Sequence, residues 1–246
     1  MRYFPLLAAL IGFLLSSCSS DETPLPECGI ATVTYQSTLL MGPEYHTYDS
    51  KGRVKRIDIN DRKSEYYEEY SYEADRISVT GTTVNEDPYV YFLDENGRIK
   101  KAFNSTYSYD TEGYLSEIYS VRGEQYTRVT FTYVDGNLHS IHTIATYATR
   151  QPSEYTQVFE YSEELAEGLV ALNPLNDTEH GRGVLGNYLG KASKNLVAKK
   201  ISSEAPWEDQ VTPYTYTRDE LGRVISVHRL IDNIIPAEKF ITYSCF

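Results

Sequence analysis

Short runs in which aromatic or apolar residues alternate with polar ones recur along most of the chain. In each copy, an alternating run is followed by a turn of small and polar residues and then by a second run that carries apolar residues. Two such runs around a turn are the pattern of a β-hairpin. The clearest copies are YHTYDSKGRVKRI (45–57), VYFLDENGRIKKA (90–102), YSYDTEGYLSEI (107–118), FTYVDGNLHSI (131–141) and YTRDELGRVISV (216–227).

The turns themselves have a regular chemistry, with Asp first and Gly fourth. Four turns share it: 49–52, 94–97, 110–113 and 219–222. In a type I turn the Asp side chain accepts hydrogen bonds from backbone N–H groups ahead of it, and the Gly takes a positive φ. The aspartates therefore have a structural role. A calcium site is disfavoured, because Ca²⁺ takes about six to eight oxygen ligands and each copy has only one regularly placed acidic residue.

Apolar residues also recur after each turn, two residues beyond the Gly and again three residues further on, as in Val54 and Ile57. An odd separation places two residues on opposite faces of a regular strand. Either a bulge restores the face or the sheet is buried on both sides, and these alternatives stay open. The irregular spacing of the copies indicates a meander rather than a solenoid. We predict an all-β fold, a single large antiparallel meander of repeated hairpins that is strongly curled or barrel-like.

The hairpin pattern is interrupted over residues 163–212, which we predict to be a short helical insertion in one β-domain spanning 30–246. Leu185, Tyr188 and Leu189 have helical spacing, and Gly190 is placed to end that helix. Such an insertion would cap one end of a curled sheet or plug its interior. Its only tryptophan and its lysines make it a candidate ligand site, and the alternative is a packed plug with solvated lysines. The candidate binding residues are Trp207, Tyr188, Lys191 and Lys194.

The N-terminus has the pattern of an export signal. The apolar run from Phe4 to Leu15 is too short to span a bilayer as a helix. The stretch Leu-Ser-Ser-Cys that follows resembles a bacterial lipobox, which implies a signal peptide over 1–17, an acylated Cys18 and a lipidated tether over 18–29. Ser19 by the same resemblance favours the outer membrane, and the acidic pair at 21–22 resembles an export signal of surface lipoproteins. The alternatives are an incidental cysteine, a merely solvated tether and display toward the periplasm.

Two further cysteines stand at the ends of the predicted domain, Cys28 after the tether and Cys245 at the penultimate position. A disulfide between them would close nearly the whole domain into a loop, and an extracytoplasmic compartment permits it. The alternative is a pair of free thiols, because sequence alone does not show that the two positions meet.

Charge and motif content limit the function classes. The formal net charge of −12 becomes −13 once residues 1–17 and their single Arg are removed. Such a field repels nucleic acid, so we expect no nucleic-acid partner. No metal-binding, phosphate-loop or nucleophile motif is found, and we expect no cofactor. A glycosidase would need two carboxylates about 5–10 Å apart, and the 35 acidic residues offer too many pairs to choose from.

Three stretches, YDSKGRVKRI, DENGRIKKA and RDELGRVISV, resemble the YD/RHS-type hairpin repeat. Together with the lipobox and YLGKASKNLVAKKI (188–201), they make most of residues 30–246 similar to the Bacteroidota lipoproteins grouped as DUF4595. That resemblance implies a porin-like fold. It implies no activity, because the family provides no catalytic residues to carry over.

The recurring residues thus have structural roles, and none of them converge in a pattern typical of an active site. We predict a non-catalytic outer-membrane or cell-surface lipoprotein that binds an unknown glycan or protein partner and is held to the membrane by its lipid anchor. The second hypothesis is a glycan-binding or glycan-active component of an envelope uptake system. The third is an enzyme without a recognisable motif.

Overall fold

The computed structural model describes residues 28–37, 44–59, 66–82, 88–148, 151–166, 174–177, 185–204, 209–231 and 235–245, and within these ranges the chain forms sixteen β-strands. The fold is all-β, as the hairpin pattern predicts. The strands are β1 (Cys28–Ser37), β2 (Glu44–Tyr48), β3 (Val54–Ile59), β4 (Tyr67–Tyr72), β5 (Arg76–Gly81), β6 (Tyr89–Leu93), β7 (Ile99–Ala102), β8 (Ser105–Tyr109), β9 (Leu115–Arg122), β10 (Gln125–Val134), β11 (Asn137–Ala145), β12 (Ser153–Leu165), β13 (Asn195–Glu204), β14 (Gln210–Arg218), β15 (Val224–Ile231) and β16 (Ile235–Cys245).

The sheet closes on itself. Each strand pairs antiparallel with its neighbours in the chain, and β1 pairs with β16, so the meander forms a closed barrel. Closure removes the exposed edges that an open sheet would present. In the closing pair, Cys28 lies opposite Cys245. The Cα separation typical of opposed residues in an antiparallel pair suits a disulfide. The two side chains lie outside the described part of the structure, so the bridge itself stays a prediction.

A β-bulge after the turns that contain Gly52, Gly97, Gly113, Gly136 and Gly222 explains the odd spacing of the apolar residues. In the β2–β3 hairpin Tyr48 is opposite Val54, while Thr47 is opposite Arg56, so one extra residue stands in β3. The bulge brings both Val54 and Ile57 to the buried face. The same register shift occurs in β6–β7, β8–β9, β10–β11, β12–β13 and β14–β15. Of the two alternatives left open by the sequence, the bulge is therefore the one adopted.

The core lies inside the barrel. Buried apolar residues from strands all around the sheet form one cluster, among them Val33, Ile77, Leu115, Ile141 and Ile241. Positions between them along each strand face outward and are more exposed, as the alternating burial along β10 illustrates. Burial of this common face is the term that favours closure over an open sheet.

The tyrosines of the first strands have a shared role that follows from the bulges. A bulge disrupts the backbone ladder, and a tyrosine of the next hairpin donates its hydroxyl to a carbonyl there. Tyr72 donates to the Val54 carbonyl at 2.7 Å and Tyr109 to the Ile99 carbonyl at 2.7 Å. Equivalent bonds join Tyr161 to Leu138, Tyr216 to Val197 and Tyr243 to Val224. These rings are therefore structural, as cross-strand packing predicts.

The end of the barrel that carries the Asp-to-Gly turns is called the turn end. There the Asp94 carboxylate accepts hydrogen bonds from the backbone N–H groups of Asn96 and Arg98, at 2.9 and 2.8 Å, and from Arg98 Nε at 2.9 Å. The Arg98 guanidinium lies 4.2 Å from the centre of the Tyr109 ring. We call this arrangement of Asp, Arg and Tyr a clamp. Equivalent clamps are formed by Asp49, Arg53 and Tyr72 and by Asp219, Arg223 and Tyr243.

The insertion is the connection between β12 and β13. Because β13 lies within the range 163–212, the interruption is shorter than predicted. Its helical segments within the described residues are two 3-10 turns, Pro174–Asp177 and Gly186–Tyr188, instead of α-helices. Gly190 follows the second turn with a φ of +83°. In the described ranges, no helix combines the length and the apolar character required to cross a membrane.

Candidate functional site

The turn end is closed by residues 185–194, which we call the cap. Gly190 forms a β-bridge with Tyr114, and the backbone N–H groups of Lys191 and Lys194 donate to the carbonyls of Gly113 and Gly136, both at 3.0 Å. Leu185 and Leu189 insert their side chains into the core. The cap thus joins the β8–β9 and β10–β11 turns to the barrel interior, which is the arrangement predicted for the insertion.

Three of the four candidate binding residues belong to the cap. The half-buried Tyr188 stacks on Tyr72 with ring centres 5.8 Å apart, and its carbonyl accepts a hydrogen bond from Tyr109 at 3.2 Å. Burial raises the pKa of the Tyr188 hydroxyl. The exposed Lys191 places its ammonium 5.3 Å from the centre of the Tyr114 ring. Lys191 and the equally exposed Lys194 each lay their alkyl stems over a turn glycine. All three residues contribute to fastening the cap, and their ligand role stays a prediction.

Trp207, the fourth candidate, lies outside the described residues. The strand ends that flank it, Glu204 and Gln210, lie at the barrel end opposite the cap, because β13 leaves the cap and pairs antiparallel with β14. The lysines of the same sequence range also separate. Lys199 and Lys200 are on β13, where Lys199 pairs with Glu160 at 2.7 Å. Lys199 and Lys200 therefore lie on a strand, apart from the cap lysines Lys191 and Lys194.

Away from the turn end, the inward positions become polar. Opposed residues of an antiparallel pair share one face. His46 is opposite the buried Val33 and Ile57, and Lys239 is opposite the buried Val227, so both face inward. Thr143 and Thr212 are also buried, opposite Val129 and Lys200 respectively. A barrel interior that is apolar at one end and polar toward the other can accommodate a polar ligand only at the latter.

Glu68 and Tyr70 also face inward, opposite the buried Ile57 and Val79. Tyr70 donates its hydroxyl to Glu68 at 2.6 Å, and burial together with the Glu68 carboxylate raises the pKa of that hydroxyl. Thr143 Oγ1 is buried without a hydrogen-bond partner in the described part of the chain. Buried hydroxyls normally have a partner. The polar half of the interior thus contains a hydroxyl available to an additional group.

The end opposite the cap, which we call the far rim, carries a cleft of about 290 Å³. Its walls come from the β7–β8, β9–β10 and β11–β12 connections. The aromatic rings Phe103 and Tyr126 are 57% and 40% exposed. The Ser105 and Ser120 hydroxyls are hydrogen-bonded to each other at 2.6 Å at the cleft. The full lining comprises Phe103, Asn104, Ser105, Ser120, Val121, Arg122, Gln125, Tyr126, Thr127, Thr146 and Tyr147.

One side-chain set has the distances of a hydrolytic triad. Ser226 Oγ lies 3.3 Å from His228 Nε2, and His228 Nδ1 lies 3.0 Å from Glu238 Oε1. Ser226, however, is only 6% exposed and sits in mid-strand. Its strand pairs on both sides at that point, so the local backbone is engaged in the sheet, and there is no turn to present N–H groups to an oxyanion. The set is a cross-strand polar ladder in this geometry.

Comparison with known proteins agrees with the barrel. The family described as "Domain of unknown function (DUF4595) with porin-like fold" matches residues 46–226. The chain belongs to this family. Among curated proteins, none matches the chain.

Among solved structures with a similar fold are two porin-like proteins from Bacteroides. A porin-like protein from Bacteroides uniformis has a TM-score of 0.61 and 18% sequence identity, covering 87% of this chain and 98% of that one. A porin-like protein from Bacteroides vulgatus has a TM-score of 0.61 and 12% identity, covering 89% and 99%. At these identities the similarity establishes the fold alone.

The far-rim residues were missed by the sequence reading, although a signal was available. Ala102-Phe103-Asn104-Ser105 is the short connection between two copies of the hairpin pattern, and in a two-residue turn of this kind Gly, Asn or Asp is expected first. A phenylalanine there contradicts the turn chemistry followed elsewhere in the chain. That departure, together with the exposed ring, distinguishes Phe103 from the structural aromatics of the strands.

Proposed function

We propose that this protein is a non-catalytic binding module, held on the outer membrane by lipid on Cys18, that receives a polar ligand at the far rim. The main support for the proposal is that the inward-facing side chains change from apolar near the cap to polar toward the far rim. Near the cap, the inward side chains are apolar and closely packed, whereas toward the far rim His46, Thr143, Thr212 and Lys239 are buried inward. Burying a polar group opposes stability unless it is partnered, and the Thr143 hydroxyl has no hydrogen-bond partner among the described residues, which supports a role for this half in ligand binding.

The position of the first strand supports display of that half away from the membrane. β1 begins at the turn end, because Cys28 pairs with Cys245, the last residue of β16. Ten residues, 18–27, connect the lipobox cysteine to this strand. Fully extended they reach at most about 33–36 Å. The tether thus joins the barrel at the capped end, which favours the far rim as the distal surface of the anchored protein.

A glycan ligand is the second candidate, and a specific observation favours it. Around the far rim, several aromatic rings are exposed, among them Phe103, Tyr119 and Tyr126. Tyr119 and Tyr126 lie with ring centres 6.1 Å apart, and Phe103 contacts Tyr89 edge-on at 4.5 Å. Exposed rings beside polar groups are suited to the mixed apolar and hydroxyl surface of a sugar.

The anchor is tested by fractionating cells that express the full chain or its Cys18→Ala variant. We expect the native chain in the outer-membrane fraction and the variant released from it, because the acyl chains provide the attachment. Protease applied to intact cells then separates outward from periplasmic display. A Cys18→Ala protein that stays in the outer membrane would overturn the anchor.

The binding role is tested on the mature chain with Cys18→Ser. Its melting temperature is measured against a panel of oligosaccharides, peptides and envelope extracts, because a ligand that binds only the folded state raises it. A ligand whose affinity is lowered by His46→Ala or Thr212→Val, at unchanged folding, supports the polar half as the site. Ligand turnover by the purified protein would contradict a non-catalytic role.

A further inference from the structure

Phe103 occupies a backbone conformation that side chains rarely adopt. It has a φ of +50° and is the first of two central residues in the β7–β8 turn, which joins Ala102 to the opposed Ser105. The neighbouring β9–β10 turn has the same two-residue form and places Gly123, with a φ of +63°, at the equivalent position. Glycine is the residue that this type II′ turn prefers, and a bulky residue at positive φ is strained. The chain thus has phenylalanine at a position where glycine would relieve strain.

The side chain that this strained residue provides does not pack in the core. Phe103 is 57% exposed, and its ring contacts the Tyr89 ring edge-on at 4.5 Å. Residues held in strained conformations concentrate at ligand-binding sites, where the surrounding structure maintains them. The Phe103 ring instead forms one wall of the far-rim cleft, with Tyr126 as a second aromatic wall.

The same cleft is lined by an arginine, Arg122, whose guanidinium has no partner among the described residues. Arg122 lines it opposite Gln125, on the face that continues inward to Thr127 and Val129. Within the described residues, Arg122 makes no ion pair or hydrogen bond through its guanidinium, whereas the other described arginines have partners. Five rigid N–H donors therefore face a cleft whose remaining polar groups are hydroxyls and amides.

We propose that the far-rim cleft is a carbohydrate site, in which Phe103 and Tyr126 stack on the apolar faces of sugar rings and Arg122 donates to a sugar carboxylate or hydroxyl. The proposal rests on the proposed binding function and specifies its ligand class and residues. The cleft volume of about 290 Å³ is at the small end of ligand pockets, so it holds one or two sugar units of a longer chain. The hydroxyls of Ser105, Ser120 and Thr127 form its polar part.

The experiment uses the mature chain with Cys18→Ser and two defined probe sets, neutral oligosaccharides (cellohexaose and mannohexaose) and oligogalacturonates, titrated by calorimetry. Phe103→Gly is the informative variant, because it removes the ring and also relieves the backbone. We expect its melting temperature to stay within about 3 °C of the parent or to rise. We expect its affinity for the bound oligosaccharide to fall about tenfold or more. Phe240→Ala removes a 37% exposed ring on β16 and should leave the affinity unchanged.

The variant Arg122→Gln tests which group of the ligand the Arg122 guanidinium binds. A larger loss of affinity for oligogalacturonates than for the neutral set supports a carboxylate partner, and an equal loss for both sets supports a hydroxyl partner. If neither affinity changes, the role of Arg122 is overturned. If the parent binds no member of either set, or if Phe103→Gly binds as the parent does, the carbohydrate site is overturned.

Failure here can be separated from failure of the binding function. A peptide or other ligand found in the melting-temperature panel, and still bound by Phe103→Gly, would keep the binding function and reject this cleft. Loss of that ligand in Phe103→Gly, with no oligosaccharide bound by the parent, would keep the cleft as a site and reject carbohydrate as its ligand class.

Discussion

The two ends of the barrel are built from different kinds of sequence. At the turn end, three turns repeat the same clamp of Asp, Arg and Tyr, and the cap bonds to two further turns. At the far rim, the β7–β8 and β9–β10 turns have two central residues each and no such clamp, a Phe stands at a glycine position, and Arg122 has no partner among the described residues. Most of the repeated tyrosine hydroxyls at the turn end are hydrogen-bonded, with Tyr133 as an exception, whereas the far rim has a guanidinium without a partner in the described part of the chain.

This contrast indicates where to look for function in a repetitive fold. A residue that recurs at each hairpin serves that hairpin, as Tyr72 and Tyr109 do when they bond a bulge carbonyl. A residue that appears once, against the local turn chemistry, requires another explanation. The contrast is in line with the proposed function, in which the anchor joins the turn end and the far rim binds the ligand.

The largest expected effect concerns the closure of the turn end. Replacing Cys245 by Ser should lower the free energy of unfolding by about 4–5 kcal/mol, because a disulfide to Cys28 would constrain a loop of nearly the whole domain. Peptide mapping without reductant provides the direct measurement. Recovery of two alkylatable thiols from the native protein would contradict the bridge and leave closure to the β1–β16 pairing alone.

The next effect tests the cap. A side chain at Gly190 would place its Cβ 2.4 Å from the Gly113 carbonyl oxygen and 3.1 Å from the Tyr109 ring, at a φ of +83°. Gly190→Ala should therefore cost at least about 2 kcal/mol in urea unfolding. Gly52→Ala is the matched control, because its φ is +70° but its Cβ would meet no atom within 4 Å. Equal losses in the two variants would mean that the cap contact contributes nothing.

A smaller effect concerns the turn clamps and acid stability. Partial burial alone would raise the pKa of Asp94, but hydrogen bonds from the Arg98 backbone and side chain and from Asn96 outweigh it and lower the pKa. The pKa values of Asp49 and Asp219 are lowered by the equivalent bonds. Asp94→Ala should cost about 1 kcal/mol near neutral pH, most of it from the unpaired N–H groups.

The pH dependence follows from the sign of these shifts. A carboxyl whose pKa is lower in the folded chain binds fewer protons there, so its stabilisation is fully present above the unfolded pKa of about 3.9 and is lost as pH falls through the folded value. The triple variant Asp49→Asn, Asp94→Asn and Asp219→Asn should therefore show a weaker loss of stability below about pH 4. Unfolding midpoints measured from pH 6 down to pH 3 test this, and an unchanged slope would refute it.

The smallest expected effect is that of the cap lysines, which we expect to take no part in ligand binding. Lys191→Ala and Lys194→Ala should each change stability by less than about 0.5 kcal/mol, because both ammonium groups are exposed. If the far rim is the site, neither substitution nor Tyr188→Phe should alter the affinity for its ligand, whereas Trp207→Ala tests the connection between β13 and β14. An affinity that depends on the lysines would move the site to the capped end and reverse the comparison.

Much of this architecture was predictable because its causes are local. The Asp-to-Gly turns, the alternating strands and the 3-10 turn before Gly190 follow from backbone conformation and hydrogen bonds within a few residues. The candidate site was less predictable. Tyr188 and Trp207 stand nineteen positions apart in the sequence, but an intervening strand carries the chain from the capped end to the opposite end of the barrel. The strand ends Glu204 and Gln210 that flank Trp207 in the sequence thus lie at the end opposite Tyr188, and Trp207 itself lies outside the described residues.

The sequence by itself determined the hairpins, their turns and the place of the interruption, since each of these depends on short-range chemistry. Only the tertiary structure decided that the sheet closes, that bulges bring Val54 and Ile57 to one face, and that the first-strand tyrosines bond the carbonyls of a neighbouring hairpin. Those features depend on contacts between distant strands and on burial of a shared interior. The far-rim cleft belongs to this second class, because residues from three separate connections meet there only after the meander has curled.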